Sequence, residues 1–194
     1  SLKRAALDEY QVKKIKEVII YAKENSPFYK EHLKDVEPKY IKSIPDIQSI
    51  PFLDAGDIRK NGIKMLCTGQ EEIKRIVTLN TSGTTGKPKR LFFTEEDLEL
   101  TIDFFHEGMK YLVNKDDVVL ILMPCKAPDS IGDLLARGLE RLGTKTIPHG
   151  IPEDLTKLSE IVRAEKVTSI VGIPVHVLKL AEVLGKTEDL RIKT

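Results

Sequence analysis

Asp117-Val-Val-Leu-Ile-Leu-Met-Pro124 opens a series of short apolar runs separated by helical patterns, and that alternation decides the fold. The series continues with a helical pattern over 130–142, Thr144-Lys-Thr-Ile147, a helix from about Glu153 to Glu165, and Val167-Thr-Ser-Ile-Val171. Pro174 then starts one more helix, running to about Leu184. Strands alternating with helices of about ten or more residues imply right-handed crossovers and a mainly parallel sheet flanked by helices. The expected fold class is therefore α/β.

Upstream of this series, Ile73 to Leu79 reads as a strand and Leu91-Phe-Phe93 as a second, forming a hairpin across the loop Asn80 to Lys89. Thr94-Glu-Glu-Asp97 fits a capping box that opens a helix reaching about Leu112. At the start of the chain, Val12, Ile15, Val18, Ile19 and Ala22 recur at helical spacing within Leu7 to Lys23, the stripe of an amphipathic helix. Proline ends that pattern at Asn25-Ser-Pro-Phe-Tyr29, and Pro38, Pro45 and Pro51 punctuate an irregular stretch expected to wrap the surface. Ile50 to Arg59 reads as a short apolar anchor, with Asp54 capping a brief helix. The expected organisation is an N-terminal helical and irregular segment, 1–72, packing on an α/β part, 73–194. There is no internal repeat and no low-complexity segment.

With 194 residues, 41% of them hydrophobic and 31% charged, the chain suits one ordinary globular domain and not a disordered or collagen-like one. A formal net charge of +1 supplies no global field toward nucleic acid or an anionic membrane, so any anion site is local. The lysines of the first helix are interleaved with glutamates and lack aromatic partners, which reads as a solvated face. Cys67 and Cys125 have neither CxxC spacing nor flanking ligands, arguing against zinc and against a disulfide framework. No run approaches the roughly 20 apolar residues of a membrane span. The expectation is a cytoplasmic protein.

The chemistry concentrates in Thr81-Ser82-Gly83-Thr84-Thr85-Gly86-Lys87-Pro88-Lys89, where four hydroxyls, two glycines and two lysines share nine residues. Glycines let backbone N–H groups approach an anion, hydroxyls donate further hydrogen bonds, and ammonium groups neutralise charge. A polar hairpin turn has a similar composition. The spacing excludes a Walker A loop, because Gly83 and Gly86 lie three apart and Lys87 is followed by proline.

The whole string resembles, at every position, the adenylate-forming (AMP-binding) superfamily signature Ser/Thr, Ser/Thr, Gly, Ser/Thr, Thr, Gly, any residue, Pro, Lys. Ser26-Pro-Phe-Tyr29, Ile50-Pro-Phe52 with Asp57-Ile-Arg59 downstream, and Gly138-Leu-Glu-Arg-Leu-Gly-Thr-Lys-Thr-Ile-Pro148 are similar to phenylacetate–CoA ligases and F390-synthetase-like proteins, in their N-terminal part. Lys166 to Pro174, followed by Leu178-Lys-Leu-Ala-Glu182, also resembles that family, where this strand and helix lie behind the acyl pocket.

The resemblance implies an AMP-forming carboxylate–CoA ligase. A carboxylic acid, aryl in the phenylacetate–CoA ligases, attacks the α-phosphorus of Mg2+-bound ATP, giving an acyl-adenylate and pyrophosphate. Coenzyme A or another thiol then displaces AMP. Thr81, Ser82, Gly83, Thr84, Thr85, Gly86, Lys87 and Lys89 would hold the phosphates, with Lys89 either touching nucleotide or bracing the loop. Lys126, His149, Gly150, Gly172 and Pro174 follow strand ends, where open α/β sheets bind ligands, and are the candidate pocket residues. Lys126 and His149 have plainer alternatives, a solvated lysine and a pocket-wall or surface histidine. No protein nucleophile, metal cluster or nucleic-acid partner is expected. Cys125-Lys-Ala-Pro-Asp-Ser-Ile-Gly132 departs from the glycine- and aromatic-rich stretch of phenylacetate–CoA ligases, which puts phenylacetate itself in doubt.

Complete members continue into adenine- and ribose-binding segments, a hinge and a C-terminal domain carrying a catalytic lysine. By that comparison this chain alone is expected to be inactive, as an excised segment, a split subunit or a remnant. An open sheet edge would favour a homodimer or a partner chain supplying the missing part. The alternative function is a non-catalytic subunit or interaction module derived from the same fold.

Overall fold

The computed structural model describes residues 3–79 and 88–185. The described chain divides into two compact units, Ser1–Thr94 and Glu95–Thr194. The hairpin groups with the first unit, because β2 packs on the helical turns of residues 55–65.

In the first unit, α1 (Arg4–Asn25) buries Val12, Ile19 and Ala22. Val12 and Ile19 meet Leu33, Val36 and Ile41 in one apolar cluster. Val18, expected in the buried stripe, is 63% exposed, since the face it shares with Tyr21 turns to solvent. Ser26 ends α1 and starts α2 (Pro27–His32): its buried hydroxyl accepts from Tyr29 N–H at 3.3 Å and donates to Lys64 O at 2.8 Å. Of the prolines in the following stretch, Pro38 and Pro45 lie in short helical turns, while Pro51 stays outside any helix or strand, as expected. Pro27, Pro38 and Pro45 sit at first or second helical positions, where a missing N–H is harmless. That stretch also reaches the core, with Ile41 only 1% exposed.

Of the expected apolar anchor, Ile50 is partly buried against that cluster, whereas Phe52 is 95% exposed. The capping expectation beside it holds: Asp54 accepts from Gly56 and Asp57 N–H at 2.6 and 2.8 Å, and opens α3 (Ala55–Asn61). β1 (Ile73–Leu79) and β2 (Lys89–Thr94) pair antiparallel, in register from Arg75 opposite Phe93 to Leu79 opposite Lys89.

The second unit holds α4 (Glu95–Met109), β3 (Val118–Leu122), α5 (Ile131–Glu140), β4 (Lys145–Pro148), α6 (Leu155–Ala164), β5 (Ser169–Gly172) and α7 (Pro174–Gly185). β3 is central, and both β4 and β5 run parallel to it. Its side chains alternate between two cores. Val119 and Ile121 join Met109, Leu135 and Leu139 of α4 and α5. Leu120 and Leu122 join Leu158, Val162, Leu180 and Leu184 of α6 and α7. A central strand covered on both faces needs an unbroken apolar run, and this explains the composition of residues 118–122. All four of these β3 side chains are completely buried. Such burial is worth roughly 1.5–3 kcal/mol for each large aliphatic side chain.

Candidate functional site

The strand order β4-β3-β5 makes β3 a switch point. The chain leaves β3 through α5 to reach β4 on one side, then crosses through α6 to β5 on the other side. Connections diverging in this way leave a crevice at the carboxyl ends of the strands. The register places Pro148 beside Ile121 and Gly172 beside Leu122, so three post-strand segments emerge at one edge.

All five candidate pocket residues come to this edge. His149 and Gly150 both donate their N–H groups to Ile121 O at 3.1 Å, which folds the end of β4 over β3. The Cys125 thiol donates to Pro148 O at 3.1 Å, linking the loop after β3 to the end of β4. Burial raises the Cys125 pKa first and Asp133 adds to that, while Lys126 opposes them. A raised thiol pKa fits an ordinary, unactivated cysteine. Gly172 lies so close to β3 that a Cβ there would meet Leu122 Cβ at 2.7 Å. Gly150 takes φ +91°, a conformation open chiefly to glycine. Lys126 is exposed and lies 3.9 Å from the equally exposed Glu153, a pair held weakly in water. The His149 Nδ1 atom is buried and has no hydrogen-bond partner among the described residues. Pro174 starts α7 at the same edge.

Sequence reasoning missed how the loop after β3 is built. Asp129 adopts φ +58°, its N–H donates to Asp133 Oδ2 at 2.9 Å, and its carboxylate accepts from Arg137 at 3.0 Å. Gly132 N–H donates to Pro124 O at 2.9 Å, and a Cβ at Gly132 would meet that oxygen at 2.8 Å. Pro128-Asp129-Ser130 carried the signal, because aspartate is among the few residues that tolerate the left-handed region.

Of the phosphate-loop candidates, Thr81, Ser82, Gly83, Thr84, Thr85, Gly86 and Lys87 lie outside the described residues. Lys89 is described: it is half-buried, begins β2 and pairs with Leu79. The hairpin therefore brings the two ends of the 80–88 connection into register. Among the described residues no three His, Cys, Asp or Glu side chains gather as metal ligands, and no helix is long and apolar enough to cross a membrane.

No family model matches the chain. It is 32% identical over 103 residues to the phenylacetate-coenzyme A ligase of Thermus thermophilus, covering 52% of this chain and 23% of that protein. The enzyme of the same name from Pseudomonas putida is 26% identical over 197 residues, covering 97% of this chain and 44% of the relative. The chain thus spans less than half the length of these curated relatives. Among solved structures, a 2-hydroxyisobutyryl-CoA ligase in complex with 2-HIB-AMP superposes with a TM-score of 0.81 at 22% identity, covering 96% of this chain and 40% of that one. The same ligase with 2-HIB-AMP and CoA, in the thioesterification state, gives 0.81 at 24% identity, covering 95% and 41%. The chain accordingly has the fold of part of an adenylate-forming CoA ligase, and in sequence it is similar to phenylacetate-coenzyme A ligases.

Proposed function

We propose that the chain is the N-terminal part of an AMP-forming acid–thiol ligase. The observation carrying this reading is the string Thr81 to Lys89, set between two strands whose ends pair at Leu79 and Lys89. In this reading the string binds the β- and γ-phosphates of ATP through backbone N–H groups, hydroxyls and Lys87, and it stabilises pyrophosphate as it leaves. Lys89, held at the strand end, braces the loop. The carboxylic acid lies in the crevice above β3, β4 and β5, bounded by Lys126, His149, Gly150, Gly172 and Pro174. Its carboxylate oxygen bonds to the α-phosphorus as the bond to pyrophosphate breaks. The sulfur of CoA or another thiol then attacks the acyl carbon and AMP departs. Mg2+ in this reading arrives with ATP, held by its phosphates. The outer edges of β4 and β5 are where a second copy or a partner chain would add.

The test is acid-dependent exchange of labelled pyrophosphate into ATP by the full polypeptide. Gly83→Asp or Lys87→Glu is expected to abolish it. Exchange unaffected by either change would overturn the loop assignment. A stably folded protein without exchange, gaining it only when another chain is added, would instead support a non-catalytic subunit.

A further inference from the structure

Within the first unit, a cleft of about 560 Å³ lies between α3, the turn that follows it, and β2. Four cationic side chains line it: Arg59, Lys60, Lys64 and Arg90. Among the described residues no carboxylate lines the cleft with them, and none of the four belongs to an ion pair. Two of these cations act on Asp54 at the start of α3. Its carboxyl is held low chiefly by the N–H groups of Asp57 and Gly56, with Lys60 and Arg59 adding a smaller effect. The chain as a whole is almost neutral, so this concentration of one sign is local.

Arg59 adds a second, independent observation. Its Nε is buried and has no hydrogen-bond partner among the described residues. A buried donor without a partner is uncommon, and one belonging to a guanidinium is best satisfied by an anion. The cleft also joins an apolar pocket of about 260 Å³, which shares Ile58, Gly62, Arg90 and Phe92 with it and is floored by Tyr29, Met65 and Leu66. Cations beside an aromatic and apolar recess suit an anion with a flat, poorly hydrated body.

We propose that this cleft, through Arg59, Lys60, Lys64 and Arg90, is an anion site which takes the phosphate groups of a nucleotide-type ligand with its base against Phe92. ATP and coenzyme A both carry this chemistry. The site rests on the charge and shape of the first unit and not on the ligase reading.

The experiment is calorimetric titration of the full chain carrying Lys87→Glu, so that the 81–89 loop is silenced, with ATP, coenzyme A, dephospho-coenzyme A and inorganic phosphate. At least one nucleotide is expected to bind. Arg59→Gln with Arg90→Gln should weaken it by about tenfold or more, and so should the exposed pair Lys60→Gln with Lys64→Gln, which tests the site without touching a buried group. A tighter complex with coenzyme A than with dephospho-coenzyme A assigns the cleft to the 3′-phosphate, while equal affinity, or ATP binding alone, assigns it to the diphosphate chemistry shared with ATP. No nucleotide binding in the Lys87→Glu chain, or affinity unchanged in a folded Lys60→Gln, Lys64→Gln chain, overturns the proposal. Loss of pyrophosphate exchange in the loop variants bears only on the ligase reading, so the two failures are separable.

Discussion

The Thr168 hydroxyl donates to Asp117 Oδ1 at 2.8 Å and accepts from Val118 N–H at 3.0 Å, so one side chain before β5 ties down the start of β3. Asp117 is only 4% exposed, and its other oxygen accepts from Asn114 N–H at 2.9 Å. A hydrogen bond to a charged group contributes about 1.5–3 kcal/mol. Thr168→Val should therefore lower unfolding free energy by about that amount in urea denaturation, while Thr168→Ser, which keeps the hydroxyl, should lose less than half of it. A loss in Thr168→Ser with none in Thr168→Val would mean that packing of the methyl group, and not the link to Asp117, holds this corner.

Two helical glycines of the second unit should respond in opposite directions. A Cβ at Gly138 would meet Phe105 Cβ at 2.9 Å and the backbone atoms Ile102 O and His106 N at 3.0 and 3.1 Å, because α5 packs tightly on α4 there. Backbone cannot give way as a side-chain tip can, so Gly138→Ala should destabilise by about 1–3 kcal/mol. Gly108 faces open space, and Gly108→Ala in α4 should stabilise by about 0.4–1 kcal/mol through helix propensity and unfolded-state entropy. Thermal unfolding of the two single variants decides the point, and a loss at both positions would refute it.

Much of the second unit was legible in the sequence, since each of its strands and helices falls within a few residues of its expected place. The reason is that period and burial agree there: residues 118–122 are apolar without interruption, and β3 is covered on both faces. The first unit was less legible. Its short turns are organised by single capping contacts, such as the Asp46 carboxylate accepting from Lys42 and Ser43 N–H, which hydrophobic periodicity does not record. Phe52 misled for the opposite reason, because apolar character alone does not determine burial when neighbouring turns aim the ring outward. Of the site, the candidate residues were read from their places after strand ends, Asp129 had a local signal in Pro128-Asp129-Ser130, and the cationic cleft needed contacts distant in sequence.

Phe52 itself gives a simple check. Since the ring is almost fully exposed, Phe52→Ser should change stability by no more than about 0.5 kcal/mol in denaturant unfolding. A loss of about 2 kcal/mol or more would show that the ring is buried in solution.

Cys125 should behave as a slow thiol. Burial and Asp133 both raise its pKa, and its S–H is engaged by Pro148 O, so less thiolate is present at a given pH than for a free cysteine. In a Cys67→Ser background, the pH profile of alkylation should lie above that of a small-molecule thiol. Asp133→Asn should move the profile down and Lys126→Gln should move it up, because the first removes a raising charge and the second a lowering one. A profile below that of the free thiol would mark an activated cysteine and contradict the assignment.

His149 separates substrate binding from chemistry in the proposed ligase. It is half-buried at the end of β4, its backbone N–H bonded to Ile121 O and its Nδ1 unsatisfied among the described residues, an arrangement that fits a pocket wall presenting one nitrogen to a polar group on the acid. Adenylation needs no general base, since the attacking carboxylate is already ionised, so His149 has no proton to take in the first step. In the full polypeptide, His149→Ala should raise KM for the acid by about tenfold and leave kcat within about threefold, the pattern of an interaction made equally in ground and transition states. His149→Gln, which retains a polar atom near the same place, should recover part of the loss. A fall in kcat with KM unchanged would place His149 against the reacting atoms, and the crevice would then have to be reassigned as the site of the acyl transfer itself.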